Sequence, residues 1–512
     1  MRVIRKHYDV IVIGAGINGA GITRDAAMRG LKVLLVDKSD IGSGTTSAST
    51  RLIHGGLRYL EHYEFRLVRE SLRERETLLK IASHLVRPLP ITIPIYKHSK
   101  RGRATIRAGM IAYDLLSFGK SLPRHRMLSR SETLKQSPGL NPEGLLGSAV
   151  YFDAQIEFAE RLVLENVLSA RAHGAEILTY TRVTNLIAEG DLVSGVEFAG
   201  ENGQNHLASA EVVINAAGPW IDRVLDRLPE RAPFESPRLI GGTKGSHIVV
   251  PAFPGAPANA IYLEAQSDRR PFFIISWNGN YLIGTTDVRF EDDPDEVRSE
   301  LWEIDYLLAE TNLTFPSAGL TRDRILFTYS GVRPLPRTGD KEEQSITRRH
   351  FIREHPQLKN LLSIVGGKLT TYRSLAEECV DVIFRKLGRS SPPCTTDTEV
   401  LPGAVNYASF ARDFKDVKLL RLYGSRAGEV AQLNSDTFTA MIVYAFEHEL
   451  AKTLADCFLR RTMIGLDGDR GLGKIDAAAE IGVRYLGWTH ARAKQETRIY
   501  TDEYGLNPSS SV

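Results

Sequence analysis

Cysteine is scarce in this chain, which has only three among its 512 residues: Cys379, Cys394 and Cys457. They are widely spaced, odd in number and outside any C-x-x-C pair, so they predict neither a disulfide framework nor a thiolate metal site. Scarce thiols of this kind are typical of a reducing compartment. We expect no metal elsewhere, because His448-Glu449 is followed by Lys452 where a metalloprotease helix would carry its second histidine.

A strong net charge and long apolar runs are also missing. The 65 basic and 62 acidic residues leave a net charge of +3, which is too small to predict nucleic-acid binding. No uninterrupted apolar run reaches the length of a membrane-spanning helix. Only seven residues precede the first predicted strand, so we expect no signal peptide. With 42% hydrophobic residues, the chain can bury large cores and is expected to form about two or three domains.

The segment from Tyr8 to Lys38 has the pattern of a dinucleotide-binding βαβ unit. An apolar strand is followed by three spaced glycines, a helix to about Arg29, a second apolar strand and a terminal acid. The glycines permit a tight turn, a close approach of backbone to pyrophosphate and close packing of helix on strand, while the acid binds the adenosine ribose. The predicted nucleotide contacts here are Gly14, Gly16, Ile17, Asn18, Gly19, Asp37 and Lys38.

The next segment, Gly42 to Thr50, is a loop of small and hydroxyl residues. It could be a flexible surface linker. Its place directly after the ribose-binding strand favours a loop that lies against the cofactor, because small residues let backbone approach a ligand and hydroxyls bind phosphate and ring atoms. We predict cofactor contacts at Thr45, Thr46, Ser47 and Ser49.

A basic and aromatic cluster follows, with Arg51, His54, Arg58 and Tyr59 around a pair of glycines. It stands close to the predicted start of a long helix that runs to about Ala82. Such a cluster favours an anionic small molecule; the alternative is a helix start with solvated arginines. We predict that Arg58 and Tyr59 bind substrate.

Two later glycine turns also follow apolar strands. The first is Ala216–Trp220, which follows the end of an apolar strand and has predicted cofactor contacts at Ala217 and Gly218. The other, after Leu361–Val365, predicts a helix start whose dipole faces the cofactor, with contacts at Gly366, Gly367, Lys368, Leu369 and Thr370. A plain strand–helix turn and a capped helix are the alternatives. One fingerprint with two further turns predicts a single tightly bound dinucleotide that carries its own redox centre, which is FAD rather than NAD.

Several stretches resemble FAD-dependent, quinone-linked bacterial sn-glycerol-3-phosphate dehydrogenase: GAGINGAGI, TTSASTRLIHGGLRYLEHYEFRLV, VINAAGPW, KGSHIVVP, IGTTDV, TYSGVRPL and GGKLTTYR. They occur in family order over roughly the first three-quarters of the chain, and one departure is Asp37, where many flavoproteins carry Glu. The resemblance implies that backbone at Val183 touches the adenine and draws attention to His247. It also implies a monotopic enzyme that passes electrons to ubiquinone, which we expect on the cytoplasmic face of the inner membrane.

The region from 97 to 130 supports a membrane contact. It carries nine basic residues against one acid, Asp114, and within this basic frame lies an apolar helical segment too short to span a bilayer. Basic flanks around such a helix are typical of an interfacial segment on anionic lipid, and the alternative is a core helix with solvated ends.

We predict an α/β fold in which a Rossmann-type FAD-binding domain is interleaved with an antiparallel-sheet substrate domain and followed by an all-α C-terminal domain. The expected bounds are 1–95, 151–225 and 336–390 for the first, 96–150 and 226–335 for the second, and 396–512 for the third. The pattern leaves open whether two copies form a homodimer.

The cations and histidines of these stretches are the candidates for substrate recognition and for proton transfer. A phosphate monoester needs two or three cations, for which Arg58, Arg333 and Lys368 are the candidates. A secondary alcohol needs a general base, for which we expect His247 or, second, His54. The resemblance implies oxidation of glycerol 3-phosphate to dihydroxyacetone phosphate, and for this reaction we expect catalytic roles for His247, His54, Lys368 and Arg333. An FAD-dependent amino-acid or 2-hydroxy-acid oxidoreductase and a non-catalytic flavin sensor are the alternatives.

Overall fold

The computed structural model describes residues 6–117, 119–199, 205–229, 238–337 and 347–505. Its strands, in chain order, are β1 (Lys6–Ile13), β2 (Val33–Val36), β3 (Leu52–Ile53), β4 (Val86–Tyr96), β5 (Arg126–Ser129), β6 (Leu145–Ile156), β7 (Glu176–Leu178), β8 (Arg182–Glu189), β9 (Leu192–Ala199), β10 (Asn205–Asn215), β11 (Thr243–Val250), β12 (Ala260–Glu264), β13 (Pro271–Trp277), β14 (Asn280–Gly284), β15 (Val288–Arg289), β16 (Phe327–Arg333), β17 (Phe351–Glu354) and β18 (Leu361–Val365).

The α-helices, in chain order, are α1 (Ile17–Met28), α2 (Phe65–Ile81), α3 (Arg103–Leu116), α4 (Arg130–Gln136), α5 (Ala159–Ala172), α6 (Ile221–Leu225), α7 (Leu301–Thr314), α8 (Tyr372–Lys386), α9 (Tyr407–Asp413), α10 (Val417–Tyr423), α11 (Ala427–Leu433), α12 (Thr437–Glu447), α13 (Leu454–Asp456), α14 (Ile475–Tyr485) and α15 (His490–Tyr504). No helix in the described ranges is both long enough and apolar enough to cross a bilayer.

The first sheet has the strand order β17-β18-β10-β1-β2-β7. Its central pairs, β18–β10, β10–β1, β1–β2 and β2–β7, are all parallel. Parallel strands covered on both faces need continuous apolar runs, which β1, β2 and β18 provide. Helices α1, α5 and α8 pack together against this sheet, and the hairpin β8–β9 extends it antiparallel from β10.

The second sheet has the order β15-β11-β14-β13-β12-β4-β6-β3, with β16 also paired to β11 and β5 to β6. Apart from the parallel pair β12–β4, its ladders are antiparallel. Helix α7 packs on one side of it, and α2 and α3 cover β4 and β6. The described residues from 402 onwards form helices and loops around an apolar core that also takes in buried residues of β11, β13 and β14. The predicted fold class is therefore confirmed.

Several predicted bounds are wrong. Strand β3 and all but the last residue of β4 lie within the range 1–95 that we assigned to the FAD-binding domain, but both strands pair in the second sheet. Strand β6 runs across the predicted boundary at 150. The reason is that the chain leaves the first sheet after β2 and returns to it only at β7. The helix expected directly after the basic cluster begins at Phe65, preceded by a short 3₁₀ turn over Leu57–His62.

Candidate functional site

Two adjoining cavities, each of about 750 Å³, lie where the two sheets meet. The nucleotide cavity is lined by the turn after β1, by the end of β2 and by the turn after β10. The cationic cavity is lined by the cluster after β3 and by residues of β11 and β16. Both cavities share walls formed by Thr45, Ala48 and Ser49 and by Gly367–Leu369, so a ligand that fills one reaches the other.

The turn after β1 leaves no room for side chains. Gly14 has φ +107°, and a Cβ there would lie 2.7 Å from the carbonyl oxygen of Ala216. A Cβ on Gly19 would lie 1.9 Å from the carbonyl oxygen of Gly14, so α1 can begin at Ile17 only with glycine at this position. The N-terminus of α1 thus stands at the nucleotide cavity, and a helix N-terminus favours the binding of an anion.

Asp37 lies at the end of β2 and lines the same cavity. Its two carboxylate oxygens accept from the backbone N–H groups of Ala15, at 2.6 Å, and Ser39, at 2.8 Å. Burial outweighs these hydrogen bonds and raises the pKa of Asp37 to about 6. The carboxylate is therefore held rigidly, and each oxygen retains a lone pair for a ribose hydroxyl.

In the loop of small and hydroxyl residues from Gly42 to Thr50, some hydroxyl groups form hydrogen bonds within the protein and others do not. Thr45 donates to the carbonyl oxygen of Val332 at 2.7 Å, Thr46 accepts from the N–H of Ile17 at 3.3 Å, and Ser47 donates to the carbonyl oxygen of Gly44 at 2.8 Å. By contrast, the described residues provide no partner for three buried cavity atoms: Ser49 Oγ, Asn18 Oδ1 and Trp220 Nε1.

Buried polar atoms without partners are uncommon, because each costs about 1–3 kcal/mol in desolvation. Their position around a cavity that also receives a helix N-terminus fits a bound dinucleotide. The residues that would hold it are the glycine turn, Asp37 and the loop with Ser49. The geometry of this structure therefore fits FAD.

The glycine turn after β18 differs in one respect from its prediction. Gly366 and Gly367 have φ +78° and +100°, and the amide nitrogen of Asn18 donates to the carbonyl oxygen of Gly366 at 3.4 Å. The following helix does not start there: α8 begins at Tyr372, after a turn that carries Lys368 to Thr371. The cavity therefore meets this turn and its side chains rather than the first turn of a second helix.

Cations gather in the cationic cavity around one carboxylate. Asp287 pairs through Oδ1 with Arg333 Nη1 at 2.9 Å and through Oδ2 with Arg348 Nη2 at 3.1 Å. The two guanidinium groups hold the pKa of Asp287 below its usual range, despite its burial. Two arginines on one aspartate leave a surplus positive charge, and Nη1 of Arg348 is buried without a partner among the described residues.

Lys368 adds a second positive charge to this cavity. Its Nζ lies 3.0 Å from Ser71 Oγ and 4.6 Å from the centroid of the Tyr59 ring. No carboxylate within the described ranges lies within 4.0 Å of that nitrogen. Arg58 and Tyr59 line the same cavity. Arg51 has a structural role instead, because its guanidinium is buried against Glu160 at 2.5 Å and the carbonyl oxygen of Ser47.

The two histidines both line the cationic cavity. The Nε2 of His247 lies 3.0 Å from Thr50 Oγ1, its ring stacks on Tyr329 at 4.8 Å, and its Nδ1 has no partner among the described residues. Burial, with Arg333 and Arg51 nearby, holds the pKa of His247 well below its usual range. Burial, with Lys368 and Arg75 nearby, lowers the pKa of His54 to about 3.

Burial among cations, which the pattern around each histidine does not reveal, therefore lowers both pKa values below the usual range of histidine. Both imidazoles are neutral at physiological pH and able to accept a proton. An anionic ligand in the cavity would offset the cations that depress their pKa values.

Nearly all the predicted residues line one or both cavities. The nucleotide cavity is lined by Gly14, Gly16, Ile17, Asn18, Asp37, Lys38, Thr45, Thr46, Ser47, Ser49, Val183, Ala217, Gly218, Gly366, Gly367, Lys368 and Leu369. The cationic cavity is lined by His54, Arg58, Tyr59, His247, Arg333, Lys368 and Thr370. Gly19 lines neither and serves the packing of α1 against the turn. Lys38 pairs with Asp295 at 2.5 Å.

Sequence reasoning missed Arg348 and Asp287 as charged members of the site. Asp287 stands in the quoted stretch IGTTDV, so its acid could have been noticed. Arg348 belongs to no motif, and only the fold brings it to Asp287.

Comparison with known proteins agrees with this geometry. A family model described as FAD dependent oxidoreductase matches residues 9–373, and one described as the C-terminal domain of alpha-glycerophosphate oxidase matches residues 394–493. A protein of Synechocystis named glycerol-3-phosphate dehydrogenase is 48% identical over 96% of this chain and 95% of its own length. The aerobic glycerol-3-phosphate dehydrogenase of Escherichia coli is 38% identical over 90% of this chain and 94% of its own.

A solved structure agrees with these matches. The glycerol-3-phosphate dehydrogenase of Bacillus halodurans, complexed with FAD, superposes with a TM-score of 0.78 at 29% identity and covers 98% of this chain and 95% of that one. The predicted cofactor, FAD, is thereby confirmed.

Proposed function

The chain belongs to the family of FAD-dependent glycerol-3-phosphate dehydrogenases, and from that premise we propose that it oxidises sn-glycerol 3-phosphate to dihydroxyacetone phosphate and delivers the electrons to a membrane quinone. The observation that carries the proposal is the group of cations beside the flavin site: Arg333 and Arg348 on the single carboxylate of Asp287, with Lys368 nearby in the same cavity.

The surplus charge of this group matches a phosphate monoester. Asp287 neutralises one of the two arginines, so Arg333, Arg348 and Lys368 together present about two positive charges to a ligand with nearly two negative charges. The Asp287 carboxylate also fixes both guanidinium planes, which reduces the entropy lost when they bind phosphate. The partnerless Nη1 of Arg348 is the donor that such a phosphate would satisfy. We assign phosphate binding to these three residues, with Arg58 and Tyr59 beside them.

The proton of the C2 hydroxyl has an acceptor in His247. Thr50 engages Nε2 at 3.0 Å and leaves Nδ1 without a partner, so one ring nitrogen is available for the alcohol. The stacked Tyr329 ring fixes the plane of the imidazole. His54, in the same cavity, is the second candidate. When bound, FAD supplies the hydride acceptor for C2 and the store of two electrons from which a quinone is reduced.

The membrane part of the proposal rests on α3. This helix exposes Leu115 to 71% and Ile111 to 45%, and the neighbouring Tyr63, after the 3₁₀ turn that contacts α3, is 80% exposed. Large apolar side chains are rarely left exposed together without a partner surface. The basic residues of the 97–130 region flank Ile111 and Leu115 along the chain and would attract anionic lipid. We propose that this face docks on the cytoplasmic leaflet.

The same helix connects the membrane to the reaction site. Ile106, Gly109 and Met110 of α3 line the cationic cavity, while Ile111 and Leu115 are exposed on the helix. A quinone held at this face would therefore lie close to the cavity in which the substrate is oxidised. This proximity supports a quinone as the acceptor.

The test is anaerobic addition of substrates to purified protein while the flavin absorbance is followed. Glycerol 3-phosphate should bleach the flavin, and a soluble quinone analogue added afterwards should restore the colour. Amino acids and 2-hydroxy acids should leave the spectrum unchanged, because their carboxylate carries a single charge and no phosphate geometry. Bleaching by an amino acid but not by glycerol 3-phosphate would contradict the proposal.

A further inference from the structure

One wall of the nucleotide cavity comes from outside the dinucleotide-binding unit. Side chains of the C-terminal helical domain line it: Thr453, Ala455, Arg460, Ile499, Glu503 and Tyr504. They share that cavity with Asp37 and Val183, the two residues assigned to the adenosine half of the cofactor. The C-terminal helical domain therefore contributes surface to a cavity that the βαβ unit also lines.

A buried carboxylate ties this wall to the ribose-binding strand. Asp40, three residues after Asp37 and 1% exposed, accepts from both terminal nitrogens of Arg461 at 2.8 Å. It also accepts from Arg460 Nε at 2.5 Å. Forked, charge-assisted contacts of this kind are among the strongest that a carboxylate forms, and removing one partner of such a buried pair is costly.

The two arginines are consecutive, and they reach one carboxylate because residues Cys457–Arg461 form a turn of π-helix. Such turns are rare and occur often at functional sites. Arg460 also donates from Nη2 to Asp456 Oδ1 at 2.7 Å, and Asp456 in turn accepts from the hydroxyl of Tyr180 at 2.5 Å. Arg460 thus joins α13 to the loop beside Asp37, while its remaining nitrogen, Nη1, forms no hydrogen bond with any described residue.

The charges explain why arginine is needed at this place. Asp37 and Asp40 would together present two carboxylates close to where a nucleotide diphosphate binds, and like charges repel. Arg460 and Arg461 neutralise Asp40 together with Asp456, so this group of four side chains carries no net charge. Ile499 on α15 supplies an apolar surface, 49% exposed, at the same wall.

We propose that the C-terminal helical domain closes the adenosine end of the FAD site, with Arg460 as a positioning residue that sets the wall against Asp40 and Ile499 as an apolar contact to the nucleotide. This role concerns how the cofactor is retained. It does not depend on which alcohol is oxidised, so it can fail while the proposed function holds, and the reverse.

The experiment uses the full-length apoprotein and ADP, which carries the adenosine half of FAD without the flavin. Isothermal titration gives the Kd for ADP, and flavin fluorescence quenching gives the Kd for FAD. Ile499→Ala should raise both constants by about fivefold or more, because it removes apolar contact area from the nucleotide. Arg460→Met should raise both by about tenfold or more. The matched control is Asp502→Ala on the same helix, which does not line the cavity and should change neither constant.

The outcomes separate a cofactor role from simple destabilisation. Thermal unfolding of each apoprotein, measured in parallel, should leave Ile499→Ala and Asp502→Ala equal to the unmodified chain. If Arg460→Met does not fold, the Kd of Ile499→Ala for ADP alone tests the proposal. An unchanged ADP affinity in Ile499→Ala overturns the proposal, and so does an equal loss of ADP affinity in Asp502→Ala.

Discussion

Arg333 donates from Nη1 to Oδ1 of Asp287 at 2.9 Å, so the guanidinium in the reaction cavity is already held in place by protein. Because Arg348 occupies the other oxygen of the same carboxylate, neither arginine is fully neutralised. Lys368 then stands nearby without an acid among the described residues. This arrangement keeps positive charge available to a ligand.

Replacing Arg348 by methionine should weaken recognition of phosphate while the fold is kept. We expect KM for glycerol 3-phosphate to rise by about 30-fold or more, since truncating one partner of a buried charge contact costs about 2–5 kcal/mol. Steady-state kinetics with a quinone analogue would measure it. Arg349→Met is the matched control, because Arg349 is exposed and does not line the cavity. Equal KM values for the two variants would contradict the assignment.

Replacing His247 by alanine should slow flavin reduction without loss of FAD. A positioned general base contributes about 10²–10⁴-fold to the rate, so a loss in this range is expected at saturating substrate. His54→Ala should have the smaller effect. Stopped-flow measurement of the flavin absorbance gives both rates. Near-normal reduction in His247→Ala, together with a large loss in His54→Ala, would transfer the role to His54.

The histidine pKa values predict a pH effect on the free protein. Both pKa values are lowered in the folded state, so the unfolded chain binds more protons as the pH falls through the usual range for histidine. The two histidines should therefore reduce stability on acidification from about pH 7 to pH 5. Chemical unfolding of the apoprotein at several pH values measures this, and the pH slope should become shallower in the variant His54→Gln. An unchanged slope would show that His54 is not buried as described.

Replacing Asp37 by asparagine should raise the stability of the apoprotein at neutral pH and lower its affinity for FAD. Burial raises its pKa to about 6, so the folded apoprotein loses stability as the pH rises from the usual range of a carboxyl through that value. Asp37→Asn should remove this loss and stabilise the apoprotein at neutral pH. It should also raise the Kd for FAD by about tenfold, because a charged acceptor for the ribose hydroxyls is lost. An apoprotein destabilised at neutral pH would contradict the first part.

The apolar face of α3 should bind membranes. The double variant Ile111→Glu, Leu115→Glu should lose co-sedimentation with vesicles that contain anionic lipid, because each side chain is exposed and its replacement adds a negative charge. The control is Val417→Glu, which changes another apolar side chain, 65% exposed, in the C-terminal domain. Equal sedimentation of both variants would show that docking uses another surface.

The dinucleotide unit could be predicted in detail because its signals are local. The helix predicted to run to about Arg29 is found over Ile17–Met28. The predicted apolar strands before and after it are β1 and β2. Gly19 answers a steric demand within the same short segment, because a Cβ there would lie 1.9 Å from the carbonyl oxygen of Gly14. The clash at Gly14 is instead with Ala216, in the turn after β10.

The other features of the site and of the sheets depend on partners that are distant in sequence. Arg348 meets Asp287 across 61 positions, and Arg461 meets Asp40 across 421, so no pattern near either arginine indicates its role. The assignment of β3 and β4 to the wrong sheet has the same origin, because strand pairing is set by the whole topology. The depressed histidine pKa values also arise from burial, which a single sequence does not display.

If the Arg333–Arg348–Lys368 group recognises the phosphate of an alcohol oxidised beside FAD, the phosphate should decide which alcohol reduces the flavin. Anaerobic flavin reduction by sn-glycerol 3-phosphate is therefore to be compared with reduction by glycerol at the same concentration. We expect rapid bleaching with the phosphate ester and none with glycerol, and slow bleaching in Arg348→Met. Equal bleaching by glycerol and its phosphate, or none by either in protein that holds FAD, would contradict it.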